Sequence, residues 1–117
     1  MIMVRWVGKA VSENRRLRPG RGRLRAQREY EAFIDGLAFQ IRAVTAGRRL
    51  RAIDLTIRTR IWKMRDKQNL VKPICDAIER SGLIENDRDI RDIHVPAAET
   101  HARGEPDQIE LEIVEVP

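Results

Sequence analysis

Hydrophobic and polar residues alternate between Leu50 and Trp62. Ile53, Leu55, Ile57 and Ile61 fall on one parity, and Asp54, Thr56, Arg58 and Arg60 on the other. Successive side chains of an extended backbone point to opposite faces, so this pattern predicts a strand buried on one side only. At this length the strand is central to its sheet. The remaining chain must therefore cover its apolar face and pair with its edges.

The flanking segments supply such elements. From Arg28 to about Ala46 the period becomes helical, with Tyr30, Phe33, Ile34, Leu37, Ala38, Ile41 and Val44 on one face and Gly47 as a stop. A second helix is expected from Gln68 to about Ser81, ending at Gly82, with Leu70, Ile74, Ala77 and Ile78 buried. Asn69, Lys72, Asp76 and Glu79 share another of its faces. Pro73 fits that helix only in its first turn or at a kink, because proline lacks the N–H that an interior turn requires. Residues 2–7, 90–95 and 108–116 read as strands, with 97–107 as a hairpin loop between the last two. Glu110 and Glu112 on the final strand are expected to pair across the sheet with Arg58 and Arg60. The result is a single α+β domain, a small mixed sheet of about four strands with two helices, in the order β-loop-α-β-α-β-β.

Charge is unevenly distributed. Between Arg15 and Arg28 there are seven arginines and no acid, whereas Glu105 to Pro117 holds five acids and neither Lys nor Arg. The stretch from about 8 to 27, with Pro19, Gly20 and Gly22, reads as a basic loop. Arginine's planar fork suits bidentate phosphate contact, and each phosphate neutralised releases counterions. Arg15, Arg16, Arg18, Arg21 and Arg23 are therefore candidate DNA contacts; the alternative is a solvated loop. The run has no interleaved aromatics, which argues against single-strand binding by stacking on it. No apolar run approaches a membrane span, and no Gly-rich nucleotide loop is present. A cytoplasmic protein without a small-molecule cofactor is expected. Cys75 is the one cysteine, which excludes an internal disulfide and multi-cysteine zinc sites; it reads as a core filler. His94 and His101 lack partners at ligand spacing.

The stretch from Arg65 to Asp89 concentrates the chemistry. Asp66, Asn69, Lys72 and Asp76 stand at one end, and Asn86, Asp87 and Asp89 at the other. If the two ends meet, their carboxylates can hold a hard cation such as Mg²⁺, with room for water and phosphate. Lys72 would then neutralise charge developing on the phosphate. Each residue also has a structural alternative: Asp66 as a helix cap, Lys72 as a solvated residue, Asp76 as a partner of a neighbouring basic group, and Asp87 as a turn former.

The sequence Arg65-Asp66-x-x-Asn69-Leu70-x-Lys72, followed by Asp76-Ala77-Ile78, Gly82 and Asp87, resembles the RusA family of Holliday junction resolvases. Ser12-x-Asn14-Arg15 and Arg21-Gly22-Arg23 resemble that family's N-terminal basic loop. The resemblance implies a homodimer, in many cases phage-encoded, that binds four-way DNA junctions in recombination and repair. It would make paired nicks with Mg²⁺, or with Mn²⁺ in its place. By matching position, Asp66, Lys72 and Asp87 would be catalytic, with Asp66 and Asp87 as metal ligands. Arg65 would contact DNA, and Asn69 matches the motif asparagine. Two departures stand out: Gln68 occupies the place of a second carboxylate, and Asn86 the place of an acid before Asp87. Gln68 can offer a metal an amide oxygen but no charge, and Asp76 could compensate. The alternative is a catalytically impaired protein of the same fold that binds branched DNA.

Overall fold

The computed structural model describes residues 1–12, 22–62 and 67–117. Five strands and two α-helices follow in the order β1 (Ile2–Gly8), α1 (Arg23–Thr45), β2 (Ile53–Trp62), α2 (Val71–Arg80), β3 (Ile90–His94), β4 (Glu99–His101) and β5 (Asp107–Glu115). Short 3-10 turns at Lys67–Leu70 and Asp87–Asp89 flank α2 and precede β3. The α+β class and mixed sheet are those the periodicities predict, with β4 as an added strand.

β2 is the centre of the sheet. β5 runs antiparallel along one edge, with β1 antiparallel outside it. The other edge is divided between two parallel partners: β3 beside Ile53–Thr56 and β4 beside Arg60–Trp62. The expected hairpin over 97–107 is thus replaced by a different topology. β3 and β5 lie on opposite sides of β2, and the connection between them crosses the sheet, leaving β4 on β2 on its way. A ten-residue central strand offers more edge than the five-residue β3 can fill, and β4 occupies the remainder.

Rows of apolar residues cross the sheet in register: Val4 beside Leu111 beside Ile57, and Ile2 beside Ile113 beside Leu55. Leu111, Ile113, Ile57 and Leu55 are almost wholly buried, and α1 and α2 contribute Tyr30, Phe33, Ile34, Leu37, Ile41, Ile74 and Ile78 to the same core. Burying each such side chain contributes about 1.5–3 kcal/mol. Trp6 packs edge-on to Phe33, with ring centroids 4.9 Å apart, so these two aromatics serve as packing. The opposite sheet face is charged. Arg5 pairs with Glu110 at 3.2 Å, Arg58 with Glu112, and Arg91 grips Asp54 through two hydrogen bonds. Arg58 therefore meets the expected glutamate strand, but Arg60 turns to Glu105 at 3.8 Å instead. Exposed pairs of this kind are worth about 0–1 kcal/mol each.

α1 begins at Arg23, five residues before the sequence pattern predicts. Ala26 is buried and extends the apolar stripe by one turn, while Val44 lies outside it at 44% exposure and Thr45 takes the buried place. Thr45 is held there by its hydroxyl donating to the Ile41 carbonyl at 2.8 Å. Arg23 is accordingly a helix residue rather than part of a loop. The chain leaves α1 through Ala46, at φ 53°, and Gly47, at φ 71°. The left-handed region costs a residue with a Cβ roughly 1–2 kcal/mol. Ala46→Gly should therefore raise stability by about 0.5–1 kcal/mol once the freer unfolded chain is counted, read as a higher urea midpoint at unchanged slope.

Beyond β1, Ala10 and Val11 are buried. The Ala10 N–H donates to Asp107 Oδ2 at 3.0 Å, and the other Asp107 oxygen lies 2.7 Å from His101 Nε2. His101 Nδ1 lies 2.8 Å from the Ala102 carbonyl oxygen. Both ring nitrogens thus face acceptors, an arrangement that suits the doubly protonated ring. The bond to Asp107, and then that to Ala102, raise the His101 pKa above its ordinary 6.5. A raised folded-state value contributes stability fully below the unfolded value, which is lost as pH climbs through the folded one. Thermal melts between pH about 6 and about 9 should show the wild type losing more stability than His101→Gln. Parallel curves would contradict this.

Candidate metal centre

α2 is entered through the Lys67–Leu70 turn, so Pro73 sits in the first turn of the α-helix, where its missing N–H costs nothing. The helix ends at Ser81 and Gly82. The Gly82 N–H bonds the Glu79 carbonyl at 3.0 Å, and Gly82 has φ 84°. That left-handed residue reverses the chain, and Leu83 and Ile84 then bury themselves at 1% exposure each. The Leu50 N–H bonds the Leu83 carbonyl at 2.6 Å, and the Ser81 hydroxyl accepts from the Leu83 N–H. Only from Glu85 onward is the turn polar. Asn86 caps the next turn: its side chain accepts from the Arg88 N–H at 3.0 Å, while its own N–H donates to Asp89 Oδ2 at 3.1 Å. Asn86 thus has a cap's work in the place where the resemblance has an acid.

This reversal brings Asp87 back against the helix. Oxygens of Asp76, Glu79 and Asp87 all lie within 4.8 Å of one another. Ligand oxygens sit roughly 2.0–2.6 Å from Mg²⁺ or Ca²⁺, so two on one ion are at most about 4–5 Å apart. The three carboxylates could hold a hard cation. Lys72 Nζ donates to Asp76 Oδ1 at 2.7 Å and stands 3.8 Å from Asp87 Oδ2. The hydrogen bond to Asp76 raises the Lys72 pKa, which favours the charged ammonium. Asp76 and Glu79 are half-buried and Asp87 is exposed, leaving the cluster open to a ligand from solvent.

The structure therefore brings together three of the residues singled out in the sequence: Lys72, Asp76 and Asp87. It adds Glu79, one turn beyond Asp76. The i, i+3 spacing of Asp76 and Glu79 was the available signal; its weight depends on the chain reversal, which the sequence left open. Gln68 is exposed and Asn69 half-buried in the turn leading into α2. Arg23 is exposed at the start of α1. Asp66, Arg65, Arg15, Arg16, Arg18 and Arg21 lie outside the described residues. Cys75 is buried beneath the cluster. Burial, with the charges of Asp87 and Asp76, pushes its thiol up to about 11, so it is held as the neutral thiol rather than a thiolate nucleophile at neutral pH.

Across the helix pair, Arg80 donates to both Glu31 and Asp35 of α1 at 2.8 Å. This joins the helix that carries Asp76 and Glu79 to the longer helix of the layer.

Fold and site together define a small two-layer α+β domain with a lysine-bridged carboxylate cluster at one helix. Compared with known proteins, the chain matches no family model and no curated protein. No helix among the described residues is long and apolar enough to cross a membrane.

Proposed function

We propose that this chain is a divalent-metal-dependent endodeoxyribonuclease of the RusA type, cutting four-way DNA junctions in pairs as a cytoplasmic homodimer. The observation that carries the reading is the convergence of Asp76, Glu79 and Asp87 around Lys72; Lys72, Asp76 and Asp87 belong to the motif that begins at Arg65. Three carboxylates and one ammonium carry a formal charge of −2, which suits a dication. Bound there, Mg²⁺ would polarise a phosphoryl oxygen and acidify an attacking water.

The chain's own residues have distinct parts. Asp87 and Glu79 would hold the cation from either side of the chain reversal, and the motif resemblance assigns a ligand role to Asp66, which lies outside the described residues. Asp76 shares itself between the cation and Lys72. Lys72, kept protonated by that bond, is free to lean toward a phosphate and offset its added negative charge. Arg15, Arg16, Arg18, Arg21, Arg23 and Arg65 supply phosphate contacts, with Asn69 positioned by the turn before α2. Glu79 makes up the charge that Gln68 does not bring. A two-fold symmetric dimer matches the two-fold symmetry of the junction.

Cleavage of a labelled mobile four-way junction, beside a linear duplex of equal length, tests the reading. Paired nicks in the junction that require Mg²⁺ or Mn²⁺ are the expected result. Tight junction binding without nicks in either metal would leave a branched-DNA-binding protein with Gln68 as the cause. Equal binding to junction and duplex, without nicks, would remove both readings.

A further inference from the structure

A cavity lies where β1, β2 and β4 end and β5 begins. It has a volume of about 620 Å³ and is lined by Gly8, Lys9, Trp62, His101, Arg103 and neighbours of the β4–β5 connection. We propose that this cleft binds one unpaired nucleotide of a DNA single strand, its base on the Trp62 ring and its phosphate between Lys9 and Arg103.

Four observations carry it. The volume falls within the range of small-ligand sites, about 300–1,000 Å³, and is ample for a single nucleotide. Trp62 is half-buried at the end of β2, and the Arg103 guanidinium lies over its ring, 5.8 Å from the centroid. A flat indole beside a guanidinium is a platform for another planar ring, since base–aromatic stacking is tolerant of base identity. The buried acid of the cleft is already engaged. Asp107 is turned into the core toward His101 and the Ala10 N–H, each of the two side chains only 3% exposed, and Glu105 faces Arg60 at 3.8 Å. Lys9 and Arg103 are exposed, and Lys9 stands 3.8 Å from the Glu29 carboxylate. Finally, the cleft lies at the ends of β1 and β2, from which the chain continues in sequence toward the arginine run and toward Asp66. This point alone rests on the nuclease reading; the ring, the cations and the volume stand without it.

The test uses the full chain as Trp6→Phe, which leaves Trp62 as the single indole of the two in the sequence. A short oligothymidylate is titrated while Trp62 fluorescence and the polarisation of a terminal label are followed together. Saturable quenching that tracks the polarisation is expected. Arg103→Gln should weaken binding about 5- to 10-fold and lower its salt dependence, as loss of one phosphate contact does. Trp62→Leu, which keeps an apolar residue in place, should weaken it about 5- to 100-fold by polarisation. An abasic sugar–phosphate oligomer of equal length should bind at least ten-fold more weakly, without quenching. Binding without quenching, or abasic and thymidylate oligomers of equal affinity, overturns the proposal. The same preparation assayed on the junction separates the two readings. Nicking without quenching removes the cleft and keeps the nuclease; quenching without nicking does the reverse.

Discussion

Asp87→Asn should lower Mg²⁺-dependent junction cleavage by about 100-fold or more, with almost no change in stability. The loss follows from charge. A cation stabilises the phosphoryl transition state by several kcal/mol, and each 1.36 kcal/mol is a factor of ten in rate. Removing one of three carboxylates weakens both the hold on the ion and its placement. The fold should tolerate the change because Asp87 is exposed, and surface changes of this kind stay within about 0.5 kcal/mol. Its long contact to Lys72, at 3.8 Å, adds little. Glu79→Gln should behave in the same way, with a loss of about 10- to 100-fold. Asp92→Asn, an exposed acid on β3 outside the cluster, should leave the rate unchanged. An Asp87→Asn protein that cleaves at the wild-type rate would take the cluster out of the chemistry.

The second large effect is on stability. Leu111→Ala should cost about 3 kcal/mol, within the 2–5 kcal/mol range of such truncations. Leu111 is fully buried on β5, between Val4 of β1 and Ile57 of β2. Strand registers fix it from both sides, so the backbone cannot close on the cavity. A domain of this size has roughly 5–15 kcal/mol in all, and the melting temperature should drop by about 10–15 °C. Leu24→Ala is the counterpart: an apolar residue 68% exposed on α1, whose truncation should change stability by less than about 0.5 kcal/mol. Equal effects at the two positions would contradict the assigned core.

The parts of this fold that were legible in the sequence are those set by local period. β2 alternates strongly enough to announce both its buried face and its central place, and the stripe from Tyr30 to Ile41 defines α1. Pro73 could be reconciled with α2 from its own chemistry. What escaped depends on partners distant in the chain. β4 has three residues and no pattern of its own; it exists because β2 has an unfilled edge. The crossing between β3 and β5 is invisible to periodicity, since parallel and antiparallel partners present the same alternation. His101 and Asp107 looked like loop residues, and only the approach of Ala10 makes them a buried pair.

The candidate site divides along the same line. Lys72, Asp76 and Asp87 were marked by residue type and by motif, but their convergence rests on Gly82 reversing the chain and on Leu83 and Ile84 anchoring it. Those two apolar residues look unremarkable beside the acids that follow them. Glu79 was overlooked because a glutamate at a helix surface is ordinary until another carboxylate folds over it. Gln68 and Asn86, the departures from the motif, gain a partial account. Asn86 caps the turn that carries Asp87, and Glu79 offers a carboxylate where Gln68 offers none.

The measurement that bears most directly on the metal centre is a Mn²⁺ titration followed by electron paramagnetic resonance, with the wild type beside Asp76→Asn and Asp87→Asn. The arrangement of Asp76, Glu79 and Asp87 predicts saturable Mn²⁺ binding, weakened at least about ten-fold in either variant and displaced by Mg²⁺. Mn²⁺ affinity unchanged by both substitutions would contradict a cation held at this cluster.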